Sequence, residues 1–158
     1  MRTGVRLAFD VGRVRVGVAR CDKDAILAVP LATLQRDRYG GDLEEAADLV
    51  TDARALEVIV GLPRSMSGRA SSSTQDARGW ARRLAELVAP VPVRLVDERL
   101  TTVTAHRELH EAGRREKSFR SVVDQAAAVV ILEQALATER STQAPAGELV
   151  DPIQRGRQ

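Results

Sequence analysis

The stretch VRLAFDVGRVRVGVARC, residues 5–21, decides the fold. Large apolar side chains at residues 5, 7 and 9 alternate with Arg6, Ala8 and Asp10, which is typical of a β-strand with one buried face. Gly12 lies in a tight link to a second predicted strand, residues 14–21, and residues 26–34 have the character of a third. Short strands separated by turn residues predict an antiparallel meander at the start of the chain.

Beyond this meander the apolar pattern changes to a helical period. It predicts helices at residues 42–56, at residues 73–88 (where Ser73 and Asp76 mark the start), at residues 102–112 and at residues 122–137. Short apolar runs at residues 58–60 and 91–96 fit buried strands, and residues 113–120 form a basic loop. The expected fold class is therefore α/β, with three antiparallel strands followed by helix–strand alternation.

The composition is ordinary for one soluble globular domain of 158 residues, with 44% hydrophobic and 29% charged residues. Aromatic residues make up 3%, which argues against base recognition by stacking. No apolar run suits a signal peptide or a membrane span, so we expect a cytoplasmic protein. Cys21 is the single cysteine; we expect a plain strand residue, with an exposed thiol linking two chains as the alternative. Residues 1–138 form the expected domain, and residues 139–158 a flexible tail.

Three acidic positions lie at the ends of apolar elements. Asp10 ends the first strand, Asp97 and Glu98 follow the last one, and Asp124 lies in the first turn of the last helix. Ligands collect at strand ends in sheets of this kind. Carboxylates that meet there repel one another, and a bound divalent cation such as Mg²⁺ offsets this repulsion. Two such ions about 4 Å apart activate a water and stabilise the leaving oxygen of a phosphodiester.

Each of these residues also has a purely structural interpretation. Asp10 suits a hydrogen-bond acceptor in the turn, Asp97 and Glu98 suit solvent-facing charges, and Asp124 suits a helix cap three residues after Ser121. His106 and His110 share a helix face, but no third ligand is evident near them, so we do not predict a metal site there.

Four motifs resemble those of the YqgF/RuvX family of RNase H-like nucleases and occur in the family's order over residues 7–132. They are residues 7–12 (LAFDVG) with 15–19 (RVGVA), residues 59–63 (IVGLP) with Gly68, residues 97–102 (DERLTT) with Ala105, and residues 123–128 (VDQAAA) with Ile131 and Leu132. The resemblance implies an RNase H-like fold, a mixed five-stranded sheet flanked by helices. The chain departs from the family pattern at Ser71–Ser73, which puts substrate contacts in that loop in doubt.

The resemblance also implies that Asp10, Glu98 and Asp124 are the catalytic and metal-binding residues, with Mg²⁺ or Mn²⁺ as the cofactor and Asp97 in support. The implied function is a metal-dependent endonuclease that processes the 5′ end of precursor 16S ribosomal RNA in ribosome biogenesis. The alternatives are a Holliday junction resolvase acting on four-way DNA in recombination, for which a homodimer is suited, and a non-catalytic nucleic-acid-binding module. A nucleotide-dependent kinase or ATPase needs a second phosphate loop, and Val18 and Ala19 stand where Lys and Ser/Thr belong.

Basic residues flank the acidic positions, although the formal net charge is only +2. Arginine side chains neutralise a nucleic-acid backbone without reading its sequence. The predicted nucleic-acid contacts, some of which are alternatively plain solvated charges, are Arg64, Arg69, Arg99, Arg114, Arg115, Lys117 and Arg120.

Overall fold

The computed structural model describes residues 1–64, 69–98 and 117–152, with the side chains of residues 117–122 excepted. In chain order the elements are β1 (Arg6–Val11), β2 (Arg15–Cys21), β3 (Ala28–Gln35), α1 (Gly41–Ala53), β4 (Glu57–Leu62), α2 (Ser72–Val88), β5 (Val93–Asp97), α3 (Lys117–Thr142) and β6 (Glu148–Leu149). The predicted helix at residues 102–112 lies outside the described residues.

The strands form one mixed sheet in the order β3-β2-β1-β4-β5-β6. Strands β1 to β3 are the predicted antiparallel meander, and β4 and β5 run parallel to β1. The carboxyl ends of β1, β4 and β5 therefore meet at one edge of the sheet. This arrangement confirms the α/β class, with six strands where five were predicted.

The additional strand lies near the end of the chain. We expected a flexible tail from residue 139, but α3 continues to Thr142 and β6 pairs antiparallel with β5. Val150 is buried, and its backbone N–H donates to the Val93 carbonyl over 2.8 Å. Helix α3 also begins at Lys117, within the predicted basic loop. Residues 153–158 lie outside the described residues.

Each face of the sheet carries its own apolar core. Leu7 and Phe9 in β1 pack with residues of α1 and α2 on one face. Ala8, between them in the sequence, packs with residues of α3 on the other. Alternation along the strand therefore sends Arg6, Ala8 and Asp10 toward α3. We call this side of the sheet the α3 face.

The turn after Asp10 is fixed from the opposite side of the sheet. The Arg36 guanidinium donates to the Gly12 carbonyl over 2.8 Å and makes two hydrogen bonds to the Asp76 carboxylate. Hydrogen bonds from Arg36 hold the pKa of Asp76 below its usual range. Asp76 therefore anchors the turn instead of forming a cap with Ser73, although α2 begins at Ser72, within one residue of the predicted start. The observed cap is Ser71, in a capping box with Thr74.

Cys21 lies on the α3 face and is buried. The Arg6 backbone N–H donates to its sulfur over 3.3 Å, and burial raises the pKa of the thiol. A buried thiol of this kind is poorly placed to link two chains. Among the described residues, no helix combines the length and the apolar character that a membrane crossing requires.

Charged side chains form ion pairs where β1, β4 and β5 begin, and Arg6, Glu57 and Glu139 among them are buried. This arginine–glutamate cluster comprises Arg2, Arg6, Glu57, Arg94 and Glu139. Glu139, near the end of α3, accepts hydrogen bonds from Arg2 over 2.7 Å and from Arg6 over 3.2 Å. The hydrogen bond from Arg2 is the main reason why the pKa of Glu139 falls to about 2. The cluster joins the end of α3 to the sheet.

We expect Glu139→Gln to lower the free energy of unfolding by about 2–3 kcal/mol at pH 7, because it leaves the buried Arg6 guanidinium without its carboxylate. The folded-state pKa is depressed, so this stabilisation is present above the unfolded pKa of about 4.5 and disappears as the pH falls toward 2. The difference between variant and wild type should therefore shrink at pH 3. Urea denaturation at both pH values measures it. Glu133→Gln, at an exposed position of α3, is the matched control, and an equal loss there would contradict the assignment.

Candidate active site

Two of the predicted site carboxylates are buried at the edge of the sheet where the parallel strands end. Asp10 is near the end of β1 and 3% exposed, and Glu98 directly follows β5 and is 2% exposed. Asp10 points to the α3 face by strand alternation. Asp97 precedes Glu98 by one residue and by the same alternation faces the other side, so it is Glu98 that shares a face with Asp10.

Gly61 in β4 provides the space for Glu98. A Cβ atom added to Gly61 would lie 2.7 Å from Oε2 of Glu98 and 2.5 Å from Cδ1 of Ile131 in α3. Phe9 pairs with Val60 across the parallel strands, so Asp10 and Gly61 are the next positions along β1 and β4. The Glu98 carboxylate therefore lies over a bare backbone position beside the strand that carries Asp10.

The third carboxylate comes from α3, which lies over β2 at a second bare position. Asp10 pairs with Gly17, and a Cβ atom added to Gly17 would collide with the Asp124 carbonyl oxygen. One residue along the helix, the Gln125 side-chain amide donates to Oγ1 of Thr33 over 2.8 Å, and Thr33 is the β3 partner of Gly17. Asp124 is thereby set beside the strand that carries Asp10.

The Asp124 carboxylate has an arginine partner. Nε of Arg15, the first residue of β2, donates to Oδ2 of Asp124 over 2.9 Å. The two side chains are 17% and 21% exposed. Asp10, Glu98 and Asp124 thus share one face and one edge of the sheet. Among the described residues, however, no group of three His, Cys, Asp or Glu side chains lies close enough together to hold a metal ion.

Comparison with known proteins assigns the chain to a family. Residues 4–138 match the model of the family described as "RuvX: Holliday junction resolvase". The chain belongs to the RuvX family. A relative from Thermobifida fusca (strain YX), named "Putative pre-16S rRNA nuclease", is 53% identical over 96% of this chain and 98% of that protein. A relative of the same name from Mycobacterium ulcerans (strain Agy99) is 57% identical over 87% of this chain and 81% of that protein.

Solved structures agree with the fold. A RuvC from Thermus thermophilus in complex with a Holliday junction substrate matches with a TM-score of 0.55 and 16% identity, over 90% of this chain and 99% of that one. RuvC has an RNase H-like fold, and the comparison confirms this fold for the present chain. Membership of the RuvX family and the nuclease names of close relatives identify the chain as a hydrolase of phosphodiester bonds.

The predicted basic contacts of this RuvX chain are only partly within the described residues. Arg64 is half-buried and Arg69 is exposed. Lys117 and Arg120 lie in the first turns of α3, with side chains that are not described. Arg99, Arg114, Arg115, His106 and His110 lie outside the described residues. Thr74, in the first turn of α2, donates a hydrogen bond to the Pro63 carbonyl just after β4.

Sequence reasoning missed three residues that shape the site. Arg15, Gly17 and Gly61 were recognised as parts of motifs, but nothing was assigned to them. Glycine in a strand interior often marks a place where another group approaches closely, and that signal was available for both glycines. No comparable signal pointed from Arg15 to Asp124, because the contact depends on which strand passes beneath α3.

We expect Gly17→Ala to destabilise the protein by about 2–3 kcal/mol, because the added methyl group must displace the α3 backbone at Asp124. Chemical denaturation at neutral pH measures the loss. Gly79→Ala is the matched control, since a Cβ atom there meets nothing within 4 Å and glycine weakens a helix. The control should be neutral or slightly stabilising. Equal stability of Gly17→Ala and wild type would contradict the close approach of α3.

Proposed function

We propose that this RuvX chain is a metal-dependent endonuclease that processes the 5′ end of precursor 16S ribosomal RNA. The observation that carries the proposal is the position of Asp10, Glu98 and Asp124 on one face and one edge of the sheet. The choice of RNA is supported by the name that relatives more than 50% identical to this chain carry.

The chemistry of these side chains fits a divalent cation such as Mg²⁺ or Mn²⁺, although the three carboxylates are not close enough to share one ion in this structure. Asp10 and Glu98 are carboxylates that are almost completely buried at the same edge, and Glu98 lies over the bare Gly61 backbone. Carboxylate oxygens are the ligands that these hard cations prefer, and cations offset the cost of burying like charges together. In this proposal Asp10, Glu98 and Asp124 hold the metal. A bound divalent ion supplies a polarised water and stabilises negative charge on the phosphate.

The protein's own contribution is positioning. The sheet edge holds Asp10 and Glu98 rigidly, and α3 brings Asp124 above Gly17. The basic residues bind the phosphate backbone on either side of the cleaved bond, so that the substrate is selected by shape. The proposed contacts are Arg64, Arg69, Arg99, Arg114, Arg115, Lys117 and Arg120.

A Holliday junction is the second candidate substrate, supported by the description of the matching family. Resolution of a four-way junction requires paired symmetric cuts, which suit a two-fold dimer, whereas trimming of an RNA end requires one active site. The mass of the protein in solution, alone and with junction DNA, therefore bears directly on this alternative.

We expect Asp10→Asn to reduce cleavage at least about 100-fold, because it removes a metal-ligating carboxylate. The assay compares a precursor ribosomal RNA leader and a four-way DNA junction side by side, in Mg²⁺ and in Mn²⁺. Asp48→Asn is the matched control, since it removes the same charge from an exposed position of α1 on the opposite face of the sheet. The control should cleave as wild type does.

Each outcome separates the candidates. Cleavage of the RNA leader alone supports the proposal, and cleavage of the junction alone replaces it with the DNA alternative. Equal activity of Asp10→Asn and wild type would show that the acidic site is wrongly assigned. If neither substrate is cleaved, thermal unfolding in Mg²⁺ or Mn²⁺ distinguishes a metal-binding enzyme, which gains stability, from a non-catalytic binding module, which does not.

A further inference from the structure

Arg15 holds the carboxylate that the proposed metal site requires. Its Nε atom donates to Oδ2 of Asp124 over 2.9 Å, and both side chains are mostly but not completely buried. Asp124 is the only carboxylate with which Arg15 forms an ion pair among residues 1–64, 69–98 and 117–152. The contact uses one of the three guanidinium nitrogens, so the terminal Nη1 and Nη2 groups remain as donors for another acceptor.

Backbone hydrogen bonds hold the main chain of Arg15 in place, whereas its side chain makes the single contact with Asp124. The Arg15 carbonyl accepts from the Gly12 N–H over 2.9 Å and closes the turn between β1 and β2. Arg15 also pairs with Gln35 in β3. The same short hairpin carries Asp10 on its first strand, so Asp10 and Arg15 keep a constant separation. The guanidinium group can therefore change partner without any movement of the strand.

A divalent cation and a guanidinium group compete for the same carboxylate. Both are positive, and a metal ion held by Asp124 would repel Arg15 at hydrogen-bonding distance from Oδ2. A guanidinium group stays charged at every accessible pH, and its fork of donors matches a phosphate. A phosphate bound at the site would offer Arg15 a new partner close to the old one.

We propose that Arg15 exchanges partners: it pairs with Asp124 in the metal-free protein and with a substrate phosphate once Asp124 binds metal. This inference rests on the proposed function and adds a specific role to it. Arg15 is then both the counter-charge of Asp124 before metal binds and a contact to the nucleic acid. Metal binding and substrate binding are then coupled, because metal releases the guanidinium group that binds the phosphate.

The exchange predicts opposite effects of Arg15→Gln on two affinities. Mg²⁺ should bind about fivefold more tightly, since a partly exposed ion pair of this kind opposes release by roughly that factor. Affinity for a non-cleaved RNA leader or DNA junction in Ca²⁺ should fall about tenfold, and the dependence on salt should weaken by about one phosphate contact. Calorimetric titration with Mg²⁺ and a filter-binding series in salt measure these effects without any cleavage.

Two further variants serve as controls. Arg20→Gln removes the same charge from the other end of β2 and should leave both affinities unchanged. Arg15→Lys keeps the charge but loses the fork, so its affinity for Mg²⁺ should stay near wild type while its affinity for nucleic acid falls. Thermal unfolding in a chelator verifies that each variant is folded.

The alternative roles of Arg15 give different results. If Arg15 only holds Asp124 in a productive position, Arg15→Gln weakens Mg²⁺ binding, and the exchange is wrong. If neither affinity changes, the ion pair is a surface contact without a role at the site, and the exchange is wrong again. Failure of the wild-type protein to bind Mg²⁺ would instead overturn the proposed function, so the two failures are distinguishable.

Discussion

The close approach of α3 to the sheet is the constraint on which the rest of the structure depends. It is possible only because Gly17 and Gly61 leave β2 and β4 without side chains where the Asp124 backbone, the Ile131 side chain and the Glu98 carboxylate lie. A strand interior normally carries branched side chains that pack against the helix above, and each glycine gives up that packing. What is gained is a helix that reaches the edge of the sheet with an acidic residue at the level of Asp10.

The elements that could be predicted are those in which apolar residues recur with a regular period along the local sequence. Residues 5–21 alternate because one side of the hairpin packs against α1 and α2, and the structure has β1 and β2 there within a residue or two. Strand β6 is different, because it has two residues and exists only through its pairing with β5. The continuation of α3 to Thr142 coincides with the buried contacts of Glu139 to Arg2 and Arg6. Tertiary contacts of this kind leave no periodic signal in the sequence.

The candidate site was predictable to a similar extent and for a similar reason. The positions of Asp10 and Glu98 follow from the rule that ligands gather at strand ends, and the resemblance of residues 97–102 to the family's third motif singled out Glu98 rather than its neighbour Asp97. The strand alternation supports that choice, since it turns Asp97 away from the α3 face. The pairing of Arg15 with Asp124 was beyond sequence reasoning, because it depends on the register of β1 with β2 and on the crossing of α3 over both.

On the α3 face, the arginine–glutamate cluster and the proposed site lie at opposite ends of the strands. Where the parallel strands begin, Glu57 and Glu139 are each bonded to more than one arginine, and such multiply bonded buried charges are costly to separate. Where the strands end, Asp124 is held by one nitrogen of one partly exposed arginine. A single contact of this kind is weak enough to be replaced. Because α3 is fixed at its far end by the arginine–glutamate cluster, the contact at Asp124 is not needed to hold the helix in place, and it is free to respond to a ligand.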